Sequence, residues 1–325
     1  MRTPAEPVQP PTSPCPDTST DVGPRLLWWR ELATIAAFYL VYTVVRNEFG
    51  SSDIPAGVAY EHAKTVIRIE RSLGIFFEQR LQNLFVEPVY EGERLVSLRF
   101  AFPGAKPILW IADVIYGSLH FIVTPWVLVL LWRRAPGSYR KWRNVLASTT
   151  ALALVGFALF PLMPPRLLAA CDSPHGACDT SYEFVDTMKH VGGLWSFDSE
   201  TMQRISNQYA AMPSLHFAWA AWCWLAARRL LRRRARRLMA AYPWVTLVVI
   251  VVTANHYWLD AVGGAVTLAV SFPLAGLFTR ITTGRRCRTR SHRDLRGGAS
   301  RGEGVIAGRG PAADPRDVVA DPRWD

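Results

Sequence analysis

Residues 107–132 read PILWIADVIYGSLHFIVTPWVLVLLW, and residues 133–143 read RRAPGSYRKWR. The first stretch contains Asp113 as its one acid and no Lys or Arg. It is long enough to carry a helix across a hydrocarbon core of about 30 Å. The second contains Arg133, Arg134, Arg140, Lys141 and Arg143 and no acid. An apolar run of membrane length closed by a basic loop predicts a span that ends on the cytoplasmic side.

The same pattern recurs along the chain. Further apolar runs lie at about 26–45, 145–163, 213–231, 238–253 and 256–279, the fourth and fifth of the six being short. Loop 228–237 carries seven arginines and no acid, and the segment after the last run opens with Arg280, Arg285, Arg286, Arg288 and Arg290. By contrast, residues 164–207 hold three basic residues and six acids, and residues 46–106 hold eight of each. Six spans with both termini in the cytoplasm place every basic segment on one side. The expected fold is therefore all-α, a polytopic membrane protein whose six-transmembrane-helix bundle occupies residues 26–281.

Segment 60–85 mixes Ile67, Ile69, Leu73, Ile75, Phe76, Leu81 and Leu84 with charges at helical spacing. It reads as an amphipathic helix on the outer interface or as a helix packed over the spans. Residues 1–25 are Pro-rich and residues 282–325 are rich in Arg and Gly. Neither has the apolar surface to offset its ordering entropy, so both are expected to be disordered tails. The first 25 residues lack the sections of a cleavable signal peptide.

The chain has 325 residues, 50% of them hydrophobic, with a net charge of +11 and a pI of about 9.8. A disulfide miniprotein, a collagen-like repeat and a wholly disordered chain are excluded. Such a charge also suits a nucleic-acid binder. Here, however, the excess lies in two loops and the start of a tail, where it orients the spans and meets anionic lipid heads at the cytoplasmic face. No nucleic-acid partner is expected. No cysteine spacing resembles a zinc site, and there is no Gly-rich nucleotide loop or serine elbow.

Three segments carry polar chemistry: Pro164-Pro165-Arg166, Ala211-Met212-Pro213-Ser214-Leu215-His216, and Asn255-His256-Tyr257-Trp258-Leu259-Asp260. The loop charges place all three at the outer ends of spans. Pro213 suits the first position of a helix, and Asn255 suits an N-cap. Two helix N-termini would then face one pocket with free N–H groups, a setting for phosphate. Arg166 adds a cationic fork. His256 and Asp260 stand at i, i+4 on one face, so the carboxylate can hold one ring nitrogen protonated and leave the other nucleophilic. His216 is placed as a general acid. In the second span, Asp113, Tyr116 and His120 share a face at i, i+3, i+7 and read either as a polar pocket wall or as a packing hydrogen-bond set. Cys171 and Cys178 lie in an outer loop, where a disulfide is expected.

In order along the chain, these three segments resemble the signature motifs of the type 2 phosphatidic acid phosphatase superfamily. The Pro-Ser-Leu-His of residues 213–216 and the run from His256 to Gly264 resemble its inositol phosphorylceramide synthase-like subgroup. The resemblance implies that His256 forms a phosphohistidine with Asp260 assisting, that His216 protonates the leaving group, and that Arg166, with Ser214, binds substrate phosphate. It implies no metal and no other cofactor. Two departures stand out. Leu159 occupies the place of a usual Lys, and Val249 and Ile250 occupy the places of a usual Ser-Arg pair.

The expected function is that of a plasma-membrane lipid phosphatase or phosphotransferase with its site facing outside and a membrane lipid as substrate. The alternatives are an inositol phosphotransferase that moves a phosphorylated head group from lipid to alcohol, and a non-catalytic lipid-binding or transport protein.

Overall fold

The computed structural model describes residues 54–193 and 207–277, together with scattered positions between 27 and 43. The two tails lie outside the described residues, as does much of the first apolar run, of which residues 31–37 form a helical segment, α1. The element order then runs α2 (Ala56–Ser72), α3 (Glu78–Asn83), β1 (Val86–Glu91), β2 (Arg94–Phe100), α4 (Ala105–Arg134) and α5 (Pro136–Leu159). Two short helices follow, α6 (Pro165–Leu168) and α7 (Thr187–His190), then α8 (Leu215–Ala227) and α9 (Arg233–Val252). The last is α10 (Trp258–Leu277).

Among the described residues, four helices, α4, α5, α9 and α10, are long and apolar enough to cross a membrane. Their outer faces carry exposed Trp110, Ile122, Trp126, Val155, Val248 and Val266. In water such a surface would be unstable, and in lipid it is the expected one. The chain is a multi-pass membrane protein. The fourth predicted run is cut to 13 residues in α8, shorter than the ~20 that a crossing needs.

Three sequence expectations are corrected. The fold is mostly helical but not all-α, because β1 and β2 form an antiparallel hairpin that pairs Val86 with Phe100 and Glu91 with Arg94. Gly92, with φ +61°, stands at the first central position of the turn, which a two-residue hairpin loop requires of a residue free to adopt positive φ. The single interfacial helix at 60–85 is two helices, broken where Gly74 adopts φ +69°. The basic loop 133–143 is mostly helix. Pro136 starts α5 after one connecting residue, at the position where its missing N–H is harmless.

Helix α2 packs over the connections rather than lying free. Ala59, Ala63, Val66 and Ile67 bury against Leu162, Met163, Leu167, Tyr209 and Tyr257. At the far end of the bundle, Val127 and Leu131 of α4 cluster with Tyr139 and Val145 of α5, and with Trp222 and Cys223 of α8. The polar segments are rooted in the first of these clusters, to which Ala211 and Tyr257 belong and against which Met212 and Leu259 pack.

Candidate active site

The starts of α8 and α10 are held face to face by their backbones. The Ser214 N–H donates to the Asp260 carbonyl at 2.8 Å. Gly264 permits the approach: a Cβ there would stand 2.4 Å from the Ser214 carbonyl oxygen. On the other side, a Cβ at Gly156 of α5 would stand 2.6 Å from the Pro213 ring. Two glycines thus seat the 211–216 segment between α5 and α10.

The caps differ from those expected. Pro213 is not the first helical residue; Ser214 is the N-cap of α8, and its hydroxyl accepts from Phe217 N–H at 3.5 Å. His216 remains in the first turn. Asn255 does not cap α10, because its amide donates to Thr253 Oγ1 at 2.9 Å and to the Thr253 carbonyl at 3.3 Å. His256 therefore sits in the turn before α10, with its own N–H donated to the Ile250 carbonyl at 3.0 Å.

That turn sets the His256 ring. Nδ1 lies 2.9 Å from the Ala211 carbonyl oxygen and 3.2 Å from Asp260 Oδ2. Both partners accept, so Nδ1 carries the proton and Nε2 keeps the lone pair. Asp260 Oδ2 also accepts Tyr257 N–H at 3.0 Å, and the side chain is fully buried. His256 lines a small cavity of about 60 Å³ with Tyr116, Pro164, Arg166, Gln208 and Asn255.

Arg166 is brought to this cavity by α6 and is only 8% exposed. It is already engaged: Nη1 donates to Asp186 at 2.7 Å and Nη2 to Gln208 at 2.6 Å. Neither partner was singled out by sequence. Their signal was an acid and an amide in the outer loop, with no fixed spacing to Arg166.

The His216 ring centroid lies 5.6 Å from that of His256 and 4.3 Å from that of Tyr116, on which it stacks. His120 meets His216 edge-on at 4.5 Å. Tyr116 and His120 thus share one neighbourhood with His216. Asp113, one turn before Tyr116 on α4, accepts from Thr187 Oγ1 of α7 at 2.8 Å. Ser214 is fully buried in its capping role and is not part of the cavity lining.

A second cavity, of about 510 Å³, adjoins the first through Arg166 and Gln208. Its walls come from the hairpin (Tyr90, Glu93, Arg94), the 169–175 loop and α7 (Lys189, His190). Cys171 and Cys178 are bonded there, with their Cα atoms 4.2 Å apart. Lys189 is paired with Asp172 at 2.5 Å. Burial and the nearby Arg166 charge lower the His175 pKa below its ordinary value.

A family model described as PAP2 superfamily matches residues 93–274, more than half of the chain. The chain belongs to the PAP2 superfamily. The match takes in the hairpin strand β2, the helices from α4 to α9 and most of α10, and so all three polar segments. No curated protein and no solved structure matches the chain. PAP2 superfamily members are in general phosphatases and phosphotransferases, which supports an enzyme. Two cation positions that the motif resemblance flagged are apolar here. Leu159 is 78% exposed on the outer face of α5, and Ile250 is buried, with its carbonyl holding the N–H groups of Asn255 and His256.

Proposed function

We propose that this PAP2 superfamily protein is a lipid phosphatase or phosphotransferase that works through a phosphohistidine at His256. The observation that carries the reading is the His256 ring, whose Nδ1 faces two acceptors beside a cavity that also contains Arg166. Nε2 attacks phosphorus and the bond to the leaving oxygen breaks. His216, the ring nearest His256, gives that oxygen a proton. Water then cleaves the P–N bond and passes its proton back to His216. Asp260 stabilises the imidazolium character that develops, and Arg166 meets the phosphoryl oxygens. By this reading no metal takes part. Six spans, both termini in the cytoplasm, and a site on the outer side of the plasma membrane complete the proposal, on the strength of the loop charges.

A second reading is transfer to an alcohol such as inositol. The adjoining 510 Å³ cavity favours it, since it is far larger than a phosphoryl group needs and has polar walls on which a head group or an acceptor can rest.

The test is turnover of a panel of lipid phosphates and phosphodiesters by the purified protein, with and without inositol. Free inorganic phosphate marks hydrolysis, and a new phosphodiester marks transfer. His256→Ala is expected to abolish both while the protein stays folded, and vanadate is expected to inhibit. Full turnover by that variant would overturn the mechanism. Failure to trap a phosphohistidine with any lipid phosphate would favour a non-catalytic lipid-binding role.

A further inference from the structure

Two glutamates that the site above does not use are completely buried beside it. Glu70 comes from the last turns of α2 and Glu78 from the first turn of α3, and both are 0% exposed. Both carboxyl groups reach the start of α10. Glu78 Oε1 accepts Trp258 N–H at 3.1 Å, and Glu70 Oε1 accepts Leu259 N–H at 3.3 Å. Glu78 Oε2 takes Phe77 N–H at 2.9 Å. Together with Tyr257 N–H, which goes to Asp260 at 3.0 Å, three successive N–H groups at this helix start are taken by three carboxyl groups from three elements. The first N–H groups of a helix have no partner within it and form its positive end, so acids are stabilised there.

Two neighbouring buried carboxyl groups resist carrying two charges, and one retains a proton. The titratable groups that face Glu70 are Glu78 from α3 and Asp260 and Tyr257 from the α10 segment. Burial first, and then the Glu78 charge, push Glu70 up to about 9. Glu70 Oε2 is buried and takes no N–H among the described residues, which leaves it to carry the proton shared with Glu78.

We propose that Glu70 and Glu78 are positioning residues for His256: a carboxyl pair that shares one proton seats the first turn of α10, so that Asp260 keeps its charge and its angle for the imidazole. The clamp comes from α2 and α3 and thereby ties the extramembrane helices to the chemistry. It deepens the phosphohistidine reading and rests on it for its catalytic consequence.

The experiment uses the full-length protein in detergent with a lipid phosphate as substrate. Glu70→Ala and Glu78→Ala are each expected to lower kcat on the order of tenfold, with KM changed by less than about twofold, because misplaced reacting groups cost rate more than binding. Glu70→Gln, which keeps the acceptor and imitates the protonated acid, is expected to recover most of the kcat that Glu70→Ala loses. The second arm needs no turnover. A carboxyl group raised from 4.5 to about 9 in the fold contributes stability below the lower value and loses it as pH rises through the higher one. The melting temperature of the wild type should therefore fall from pH 5 to 9 more steeply than that of Glu70→Gln. Unchanged kcat in both Ala variants, or no rescue by Gln, overturns the positioning role. Parallel melting curves overturn the shared proton. An inert wild type whose melting slope still diverges from that of Glu70→Gln supports the carboxyl pair and faults only the reading of His256 as nucleophile.

Discussion

The main-chain N–H of Ser214 donates to the main-chain carbonyl of Asp260 over 2.8 Å, which locks the start of α8 to the first turn of α10. Gly264 makes the contact possible, since a Cβ there would meet the Ser214 carbonyl oxygen at 2.4 Å. Gly264→Ala is expected to force the two segments apart at a cost of about 1–3 kcal/mol, with a fall in both melting temperature and kcat. Gly276→Ala is the control. It lies in the same helix with nothing within 4 Å of an added Cβ, and it should be neutral or slightly stabilising. Thermal unfolding of both variants checks the difference.

Asp260 accepts from His256 Nδ1 and from Tyr257 N–H through one oxygen. Asp260→Asn keeps the shape but loses the charge that stabilises a developing imidazolium. The expected fall in kcat is roughly 10²–10⁴-fold, with little change in KM. Steady-state kinetics on a lipid phosphate decides it; a fall below tenfold would remove Asp260 from the chemistry.

Arg166 spreads its fork over Asp186 and Gln208 with both side chains of the ion pair more than nine-tenths buried. Arg166→Ala leaves the Asp186 charge buried and unpaired, a loss of about 3–5 kcal/mol. Arg166→Lys keeps the charge but cannot make the planar two-point contact. Lys should restore most of the stability and little of the substrate affinity. A KM rise that persists in a well-folded Arg166→Lys protein is the signature sought.

The Cys171–Cys178 bridge closes a loop of eight residues beside the larger cavity. A loop of that length gives about 2 kcal/mol in the chain-entropy account. The double Ser variant should melt earlier by that measure. Its KM should rise more for substrates with large head groups than for a small phosphate ester, because the loop walls the larger cavity and not the smaller one. Equal KM effects on both classes would argue against head-group contact with this wall.

Four of the six expected spans were legible because lipid imposes length and apolarity on any helix that crosses it, as in 107–132. The His256 and Asp260 pair was legible as an i, i+4 interval, although His256 stands in the turn before α10, so that turn and not a helical face aims its ring at Asp260. The hairpin was missed although Glu91-Gly92-Glu93 sits between two strand-like runs, because its neighbours were read as part of an outer loop. The caps were misplaced by a few residues. Pro213 and Asn255 have the right local preferences, but the Ser214–Asp260 backbone bond and the tight turn after Val252 decided the helix starts. Asp186, Gln208, Glu70 and Glu78 were out of reach, since each meets its partner across at least 20 residues of chain and without a repeating interval.

Helix α8 has a consequence for depth. Its 13 residues rise about 20 Å, against a hydrocarbon slab of about 30 Å. On the six-span topology proposed above, the arginines that follow it, Arg228 and Arg229, hold that end at the aqueous boundary. The shortfall of about 10 Å then falls at the opposite end, where His216 stands, and sets the imidazoles beneath the plane of the surrounding lipid heads. On that topology a lipid phosphate reaches them from the side, within the bilayer.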